Sequence, residues 1–392
     1  MNTEGIRFPD YDGGSLVNLM SALLKGTSKL TPDYVVTPLL PQGLVESAQN
    51  IVLCVIDGLG DQFLRAADNA SFLQAHQRGS LTSVFPTTTA AAITTFLTGQ
   101  APQQHGLTGW FVNLAQAGGV VAVLPCEARD RQQSLTLSAS QLAWSYGHKP
   151  IFDLMTCKSY VVSPHWLIDS AFNQAHTGVA QAVPYEEELA DMFNAVAHVI
   201  QHDPARKYIY AYWPELDRLS HIYGQGSDIA ARHLGEINAA VETFVSTMAG
   251  SNTLLILTAD HGFMDTEPTK VITVNDHPEL QACLAAPLCG EPRLAYAYVK
   301  PDKQTQFVDY IQQHFQNEIV LLRSDTLINQ AAFGLGIPHP ELAKRIGDYT
   351  LVMKENYVIK DWLDSEAHFF HRGVHGGVSD QEMDVPLITI NI

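Results

Sequence analysis

Residues 253–262 read T-L-L-I-L-T-A-D-H-G. This apolar run is too short to cross a membrane and predicts a strand buried on both faces, stopped at Asp260 and His261 with a turn glycine behind them. Two side chains of metal-ligand type therefore stand at a strand end. In open α/β sheets ligands gather outside the carboxyl ends of the parallel strands, so a site is expected at this edge.

Working outward, the pattern recurs at residues 51–57 (I-V-L-C-V-I-D), closed by Asp57 and Gly58, and at residues 207–217 (K-Y-I-Y-A-Y-W-P-E-L-D), where Asp217 follows the run. One aspartate at a strand exit is ordinary, because Asp caps helices and turns. Three, two of them with a histidine nearby, predict a shared site. The fold class that follows is α/β, with a largely parallel central sheet and helices on both faces.

With 392 residues the chain can form one large α/β domain carrying an insertion. Its 46% apolar and 16% charged content excludes a disordered chain. No stretch approaches the roughly 20 apolar residues of a membrane span. The 23 basic and 41 acidic side chains give a net charge of −18, which disfavours nucleic acid polymers and anionic membranes as partners. The opening M-N-T-E-G-I-R-F-P-D shows no basic stretch followed by an apolar one, so a cytoplasmic location is expected. Cys54, Cys126, Cys157, Cys283 and Cys289 are scattered without a C-x-x-C and fit reduced thiols.

Residues 15–24 and 61–77 have helical texture, and residues 79–85 predict a short strand ended by Pro86. Residues 86–99, P-T-T-T-A-A-A-I-T-T-F-L-T-G, predict a short helix with threonine at its start and glycine at its end. Backbone amides at such a start attract anions, although capping alone explains a threonine there. Residues 106–130 suggest a hairpin or surface excursion, residues 160–163 a buried strand, and residues 185–202 and 228–248 amphipathic helices. Between residues 266 and 371 Pro278, Pro287, Pro292, Pro301, Pro338 and Pro340 punctuate shorter elements, including a strand at 293–299 and a helix at 303–315. The expected organisation is a catalytic α/β core of residues 1–265 and 372–392 with an inserted smaller α+β cap at 266–371. A last strand is expected at 386–390.

Asp217 and His221 are four apart, which on a helix puts them on one face. Alone such a pair is commonly a surface hydrogen bond; its place behind a buried strand suggests more. His375, in V-H-G-G, adds an imidazole where glycines permit close approach. Three Asp and three His divided over two ions favour zinc, with manganese the alternative. Two such ions can clamp the attacking and leaving oxygens of a displacement at phosphorus.

Asp57, the P-x-x-T start of a helix ending in T-G at Gly99, D-x-x-x-H at Asp217 and His221, D-H-G at Asp260, and the late H-G at His375 occur in an order that resembles the alkaline phosphatase superfamily. Within it the type I phosphodiesterase / nucleotide pyrophosphatase family is the nearest branch, over roughly residues 50–265 and 368–392. The resemblance implies Thr89 as nucleophile. It also implies one zinc on Asp217, His221 and His375, and a second on Asp57, Asp260 and His261 with the Thr89 oxygen. His368 and His371 are weaker candidates for the late ligand, since neither precedes glycine. The activity implied is hydrolysis of phosphodiester or pyrophosphate bonds in a small-molecule phosphate ester, through a phosphothreonine. Alternatives are a phosphomonoesterase, a phosphonate or sulfate ester hydrolase, or a non-catalytic metal-containing binding protein.

Two positions depart from nucleotide-cleaving relatives, in which an aromatic follows the nucleophile and an Asn lies three after it; here they are Ala90 and Ala92. Trp110, Phe111, Trp166 or Tyr223 could supply an aromatic wall instead. Small residues at 90–92 are expected to leave room for a substituent, and no arginine lies near Thr89 to clamp a dianion, which favours a diester. Arg293, Arg345 and Arg372 are the cations that folding could bring in.

Overall fold

The three apolar runs become neighbouring parallel strands. The computed structural model describes residues 6–392, so residues 1–5, where the opening examined for a secretory signal begins, lie outside it. The central seven-stranded sheet runs, edge to edge, Gln77–Thr82, Asp384–Asn391, Thr253–Thr258, Asn50–Ile56, Lys207–Trp213, Lys158–Pro164 and Gln181–Tyr185. Five strands are parallel, and Asp384–Asn391 is antiparallel to both its neighbours. Asn50–Ile56, Lys207–Trp213 and Thr253–Thr258 are buried along their whole length, which is why they lack polar alternation.

Register decides where the aspartates go. Ile56 pairs with Trp213 and Val55 with Thr258, so the three chains leave the sheet at one level and deliver Asp57, Asp217 and Asp260 to one edge. Helices lie on both faces. Leu189–His202 buries Leu189, Met192, Phe193, Val196, Val199 and Ile200 at three and four spacing and packs with Asp228–Thr247, while Leu16–Thr27 packs with Thr89–Thr98. The helical texture at 61–77 resolves into two short helices, Asp61–Ala66 and Ser71–Ala75, before the edge strand.

A second seven-stranded sheet, all antiparallel, has the order Ile319–Arg323, Tyr349–Met353, Leu294–Ala297, Cys289–Glu291, Phe111–Leu114, Gly119–Ala122 and Glu127–Ala128. Leu294 and Tyr296 enter one apolar cluster and Ala295 and Ala297 the other, as the strand period requires. The Gln304–Phe315 helix covers one face with Phe307, Ile311 and Phe315. The hairpin expected at 106–130 forms, and it continues this sheet through Phe111 opposite Gly290. Any cap drawn around the sheet therefore includes residues 111–128 as well as part of 266–371.

Candidate metal centre

Asp57 and Asp260 follow adjacent strands and are 2% and 0% exposed. Tyr212 donates its hydroxyl to Asp57 Oδ2, whereas Asp57 Oδ1 has no hydrogen-bond partner. Asp260 Oδ1 accepts the Gly58 and His261 amides, both at 3.0 Å, and Oδ2 is left without a partner. His261 Nε2 lies 3.6 Å from Asp57 Oδ1 and 3.3 Å from Asp260 Oδ2.

The Glu215–Tyr223 helix carries Asp217 and His221 on one face, with Asp217 Oδ1 3.5 Å from His221 Nε2 and 3.9 Å from His375 Nε2. That oxygen too is a buried orphan. Two groups draw their ligand atoms within 4.8 Å of one another: Asp57, Asp260 and His261, and Asp217, His261 and His375. His221 meets Asp217 but stands outside the second group.

The imidazoles share one device. Nδ1 of His261, His221 and His375 faces the carbonyls of Gly262 at 3.1 Å, Gly373 at 2.9 Å and Thr87 at 3.2 Å. A carbonyl only accepts, so each Nδ1 carries the proton and each Nε2 lone pair is aimed at the carboxylates. Close backbone packing fixes these carriers. A Cβ on Gly262 would stand 2.0 Å from the Gln381 carbonyl, and Gly376 has φ 107° and faces Glu291.

Burial first, then Asp260 and Asp217, raises the Asp57 carboxyl well above the usual range, and burial raises Asp217. Burial, then His261 and His221, drives His375 well below the ordinary imidazole value. A divalent cation among these groups would keep the carboxylates ionised and matches the neutral imidazole, and an orphaned buried oxygen otherwise costs about 1–3 kcal/mol. The donor set therefore fits divalent metal.

Thr88 caps the Thr89–Thr98 helix, whose end at Gly99 has φ 73°. Of the three consecutive hydroxyls, Thr87 donates to the Gly377 carbonyl at 2.9 Å and Thr88 to Glu291 Oε1. Thr89 Oγ1 lies 3.1 Å from His261 Nε2 and faces the ligand cluster. Ala90, Ala91 and Ala92 are fully buried in the main core, so the room expected beside them is not there. The helix turns that side inward because only small side chains pack there.

The expected cations go elsewhere. Arg293, 1% exposed, pairs with Glu382 at 3.0 Å and donates to the Tyr357 carbonyl. Arg345 is buried against the Gly106 carbonyl at 2.9 Å, and the Arg372 side chain is exposed. His371 packs at a tilt 4.4 Å from His221, whereas His368 stacks on Trp362 at 4.5 Å. Trp110 donates its backbone amide to Glu291 Oε1 at 2.7 Å, Phe111 lies under Arg129, and Trp166 and Tyr223 are exposed at 61% and 45%. Glu291 and Tyr212 were not foreseen. No spacing marks them, since both reach the site by nonlocal strand pairing. Burial pushes the Glu291 carboxyl up to about 7.

A parallel sheet whose strand ends gather carboxylates and imidazoles over a helix start defines an α/β protein of the alkaline-phosphatase-like class. The chain belongs to the type I phosphodiesterase / nucleotide pyrophosphatase family, whose profile matches residues 51–377, and this places it among phosphoryl hydrolases. Human ectonucleotide pyrophosphatase/phosphodiesterase 5 superposes with a TM-score of 0.64 at 17% identity, covering 86% of this chain and 87% of that one. The murine protein, solved also as an inactive Thr-to-Ala variant with AMP, gives 0.60 at the same identity and coverage. Phosphonoacetate hydrolase from Sinorhizobium meliloti 1021, solved with phosphonoformate, gives 0.61 at 17% identity over 88% of this chain and 90% of that one. No curated protein sequence matches. Among the described residues no helix is long and apolar enough to cross a membrane.

Proposed function

We propose that the chain is a metal-dependent hydrolase of phosphodiester or pyrophosphate bonds in small molecules, acting through a phosphothreonine on Thr89. The observation that carries this is the Thr89 hydroxyl, turned towards the ligand cluster while Thr87 and Thr88 are engaged elsewhere. Asp57, Asp260 and His261 with the Thr89 oxygen would hold one ion, and Asp217, His221 and His375 the other, with zinc preferred and manganese the alternative. Such ions supply charge that stabilises the deprotonated hydroxyl and the departing oxygen.

The chain supplies the rest. Thr89 Oγ releases its proton and forms a bond to phosphorus as the bond to the leaving oxygen breaks, and that oxygen ends protonated. The amides at the start of the Thr89–Thr98 helix favour the phosphoryl oxygens. Water then displaces Thr89 from phosphorus, giving the phosphate product and restoring the hydroxyl. Glu291 holds Thr88 and Trp110 and so fixes the turn from which Thr89 projects.

Support comes from the murine relative, whose Thr-to-Ala variant is described as inactive. A phosphonate hydrolase on the same scaffold is the second reading, favoured by the likeness to phosphonoacetate hydrolase. Among the described residues Arg293 and Arg345 are engaged away from Thr89, which supports a diester over a monoester, because a dianion calls for a guanidinium clamp. Five unpaired cysteines support a reducing, cytoplasmic setting. On metal-loaded protein, kcat/KM for bis-p-nitrophenyl phosphate is expected to exceed that for p-nitrophenyl phosphate. The opposite order promotes the monoesterase reading, and hydrolysis of neither leaves a non-catalytic binder.

A further inference from the structure

Arg129 follows the edge strand Glu127–Ala128 of the second sheet and Lys360 ends a short strand paired with Val271–Thr273; the two cations differ in one respect. The Arg129 guanidinium is taken up by Asp361 at 2.8 Å, Glu366 at 2.9 Å and the carbonyls of Leu288 and Asp361. Lys360, half-buried at the end of the Val358–Lys360 strand, has no ion pair or hydrogen bond from its ammonium among the described residues. Instead Nζ lies over two aromatic faces, 4.2 Å from the Phe369 centroid and 4.8 Å from that of Trp362. Burial lowers its pKa to about 8, so it is charged at neutral pH. A caged ammonium with no oxygen partner is a poor structural element and a ready anion receptor.

Its neighbours connect it to the centre. The Phe369 ring packs 4.6 Å from His371, which packs 4.4 Å from His221. On the other side its charge acts on Glu291, the residue that holds Thr88 beside the nucleophile. We propose that Lys360, caged by Trp362 and Phe369, is a specificity residue that binds a second anionic group, carboxylate or phosphate, carried by the substrate a few bonds from the phosphorus that Thr89 attacks. This rests on the hydrolase reading above, and it assigns the cap a recognition task that the ligand cluster does not perform. A neutral or bulky apolar substituent leaves the ammonium desolvated without a partner.

Competitive inhibition of bis-p-nitrophenyl phosphate hydrolysis by three anions tests it: methylphosphonate, phosphonoacetate and methylenediphosphonate. The last two add a carboxylate or a second phosphonate, so they report which anion Lys360 takes. At least one is expected to bind about tenfold or more tighter than methylphosphonate to the native protein. Lys360→Met, which keeps the stem between the rings, and Lys360→Gln should bring that ratio close to one, and Lys360→Arg should keep it. A preference that persists undiminished in Lys360→Met and Lys360→Gln overturns the proposal. So does equal affinity for the three anions in the native protein, which needs no variant to be measured. If bis-p-nitrophenyl phosphate is not hydrolysed at all, the hydrolase reading has failed, and calorimetric titration with the same anions still decides the role of Lys360.

Discussion

The Thr89 hydroxyl stands 3.1 Å from Nε2 of His261, and the two residues belong to segments 172 positions apart. Parallel pairing of Asn50–Ile56 with Thr253–Thr258 places His261 at this edge, and the turn held by Glu291 brings Thr89 to meet it. The pair converts a threonine run with an ordinary capping explanation into one oriented hydroxyl.

Thr89→Ala is expected to lower kcat by about a thousandfold or more with the fold and metal content retained. Thr87→Ala and Thr88→Ala each remove a hydrogen bond to Gly377 or Glu291 and should lower kcat by about tenfold at most. Steady-state kinetics on the three variants separates these outcomes. Equal losses in all three would remove Thr89 from its role.

Purified protein should hold close to two zinc or manganese ions by elemental analysis, because the orphan oxygens of Asp57, Asp217 and Asp260 face three Nε2 atoms. A strong chelator should abolish activity and lower the melting temperature, and either metal should restore both. Protein free of transition metal whose activity ignores added zinc and manganese would contradict the ligand set.

Glu291 is a carboxyl whose folded pKa is pushed up to about 7 from the ordinary value of 4.5 because it is buried. Between these values the unfolded chain ionises first and binds fewer protons, so this residue's contribution to stability is full below pH 4.5 and is lost as pH rises through 7. At about 1.4 kcal/mol per unit the loss is on the order of 3 kcal/mol. Glu291→Gln keeps an oxygen for Thr88 and Trp110 and cannot ionise, so it should gain stability over the native protein between pH 5 and pH 8. Urea denaturation at both values measures this, and an identical pH slope in the two proteins would be the contrary result.

Arg293 and Glu382 form a buried pair at 3.0 Å that ties the second sheet to the loop after His375, since Glu382 also accepts the Gly377 amide at 2.8 Å. Removing one partner leaves an uncompensated buried charge, and Arg293→Met should cost about 3–5 kcal/mol. The double variant with Glu382→Leu should recover part of that loss. Both should impair activity beyond their effect on folding, because Gly377 also anchors Thr87. Full activity in the folded double variant would separate this pair from the site.

The order of the motifs was legible in the chain because each is local. An apolar run that stops at a carboxylate is visible in residues 51–57, 207–217 and 253–262, and parallel strands of this length deliver their ends to one edge. Amphipathic spacing likewise marked the Leu189–His202 and Asp228–Thr247 helices. Only the tertiary structure decided what depends on pairing across long separations. It joined the 111–128 hairpin to strands near residue 290 and buried Ala90, Ala91 and Ala92 in the core, closing the space expected beside them. It also locked Arg293 onto Glu382 and set the Lys360 ammonium over two aromatic rings with no oxygen partner among the described residues. A residue's spacing tells which face of its own element it occupies. Whether a carboxylate, a carbonyl or a ring meets it there is set by elements that arrive from elsewhere in the chain, and that meeting fixes which charges are neutralised and which remain for a ligand.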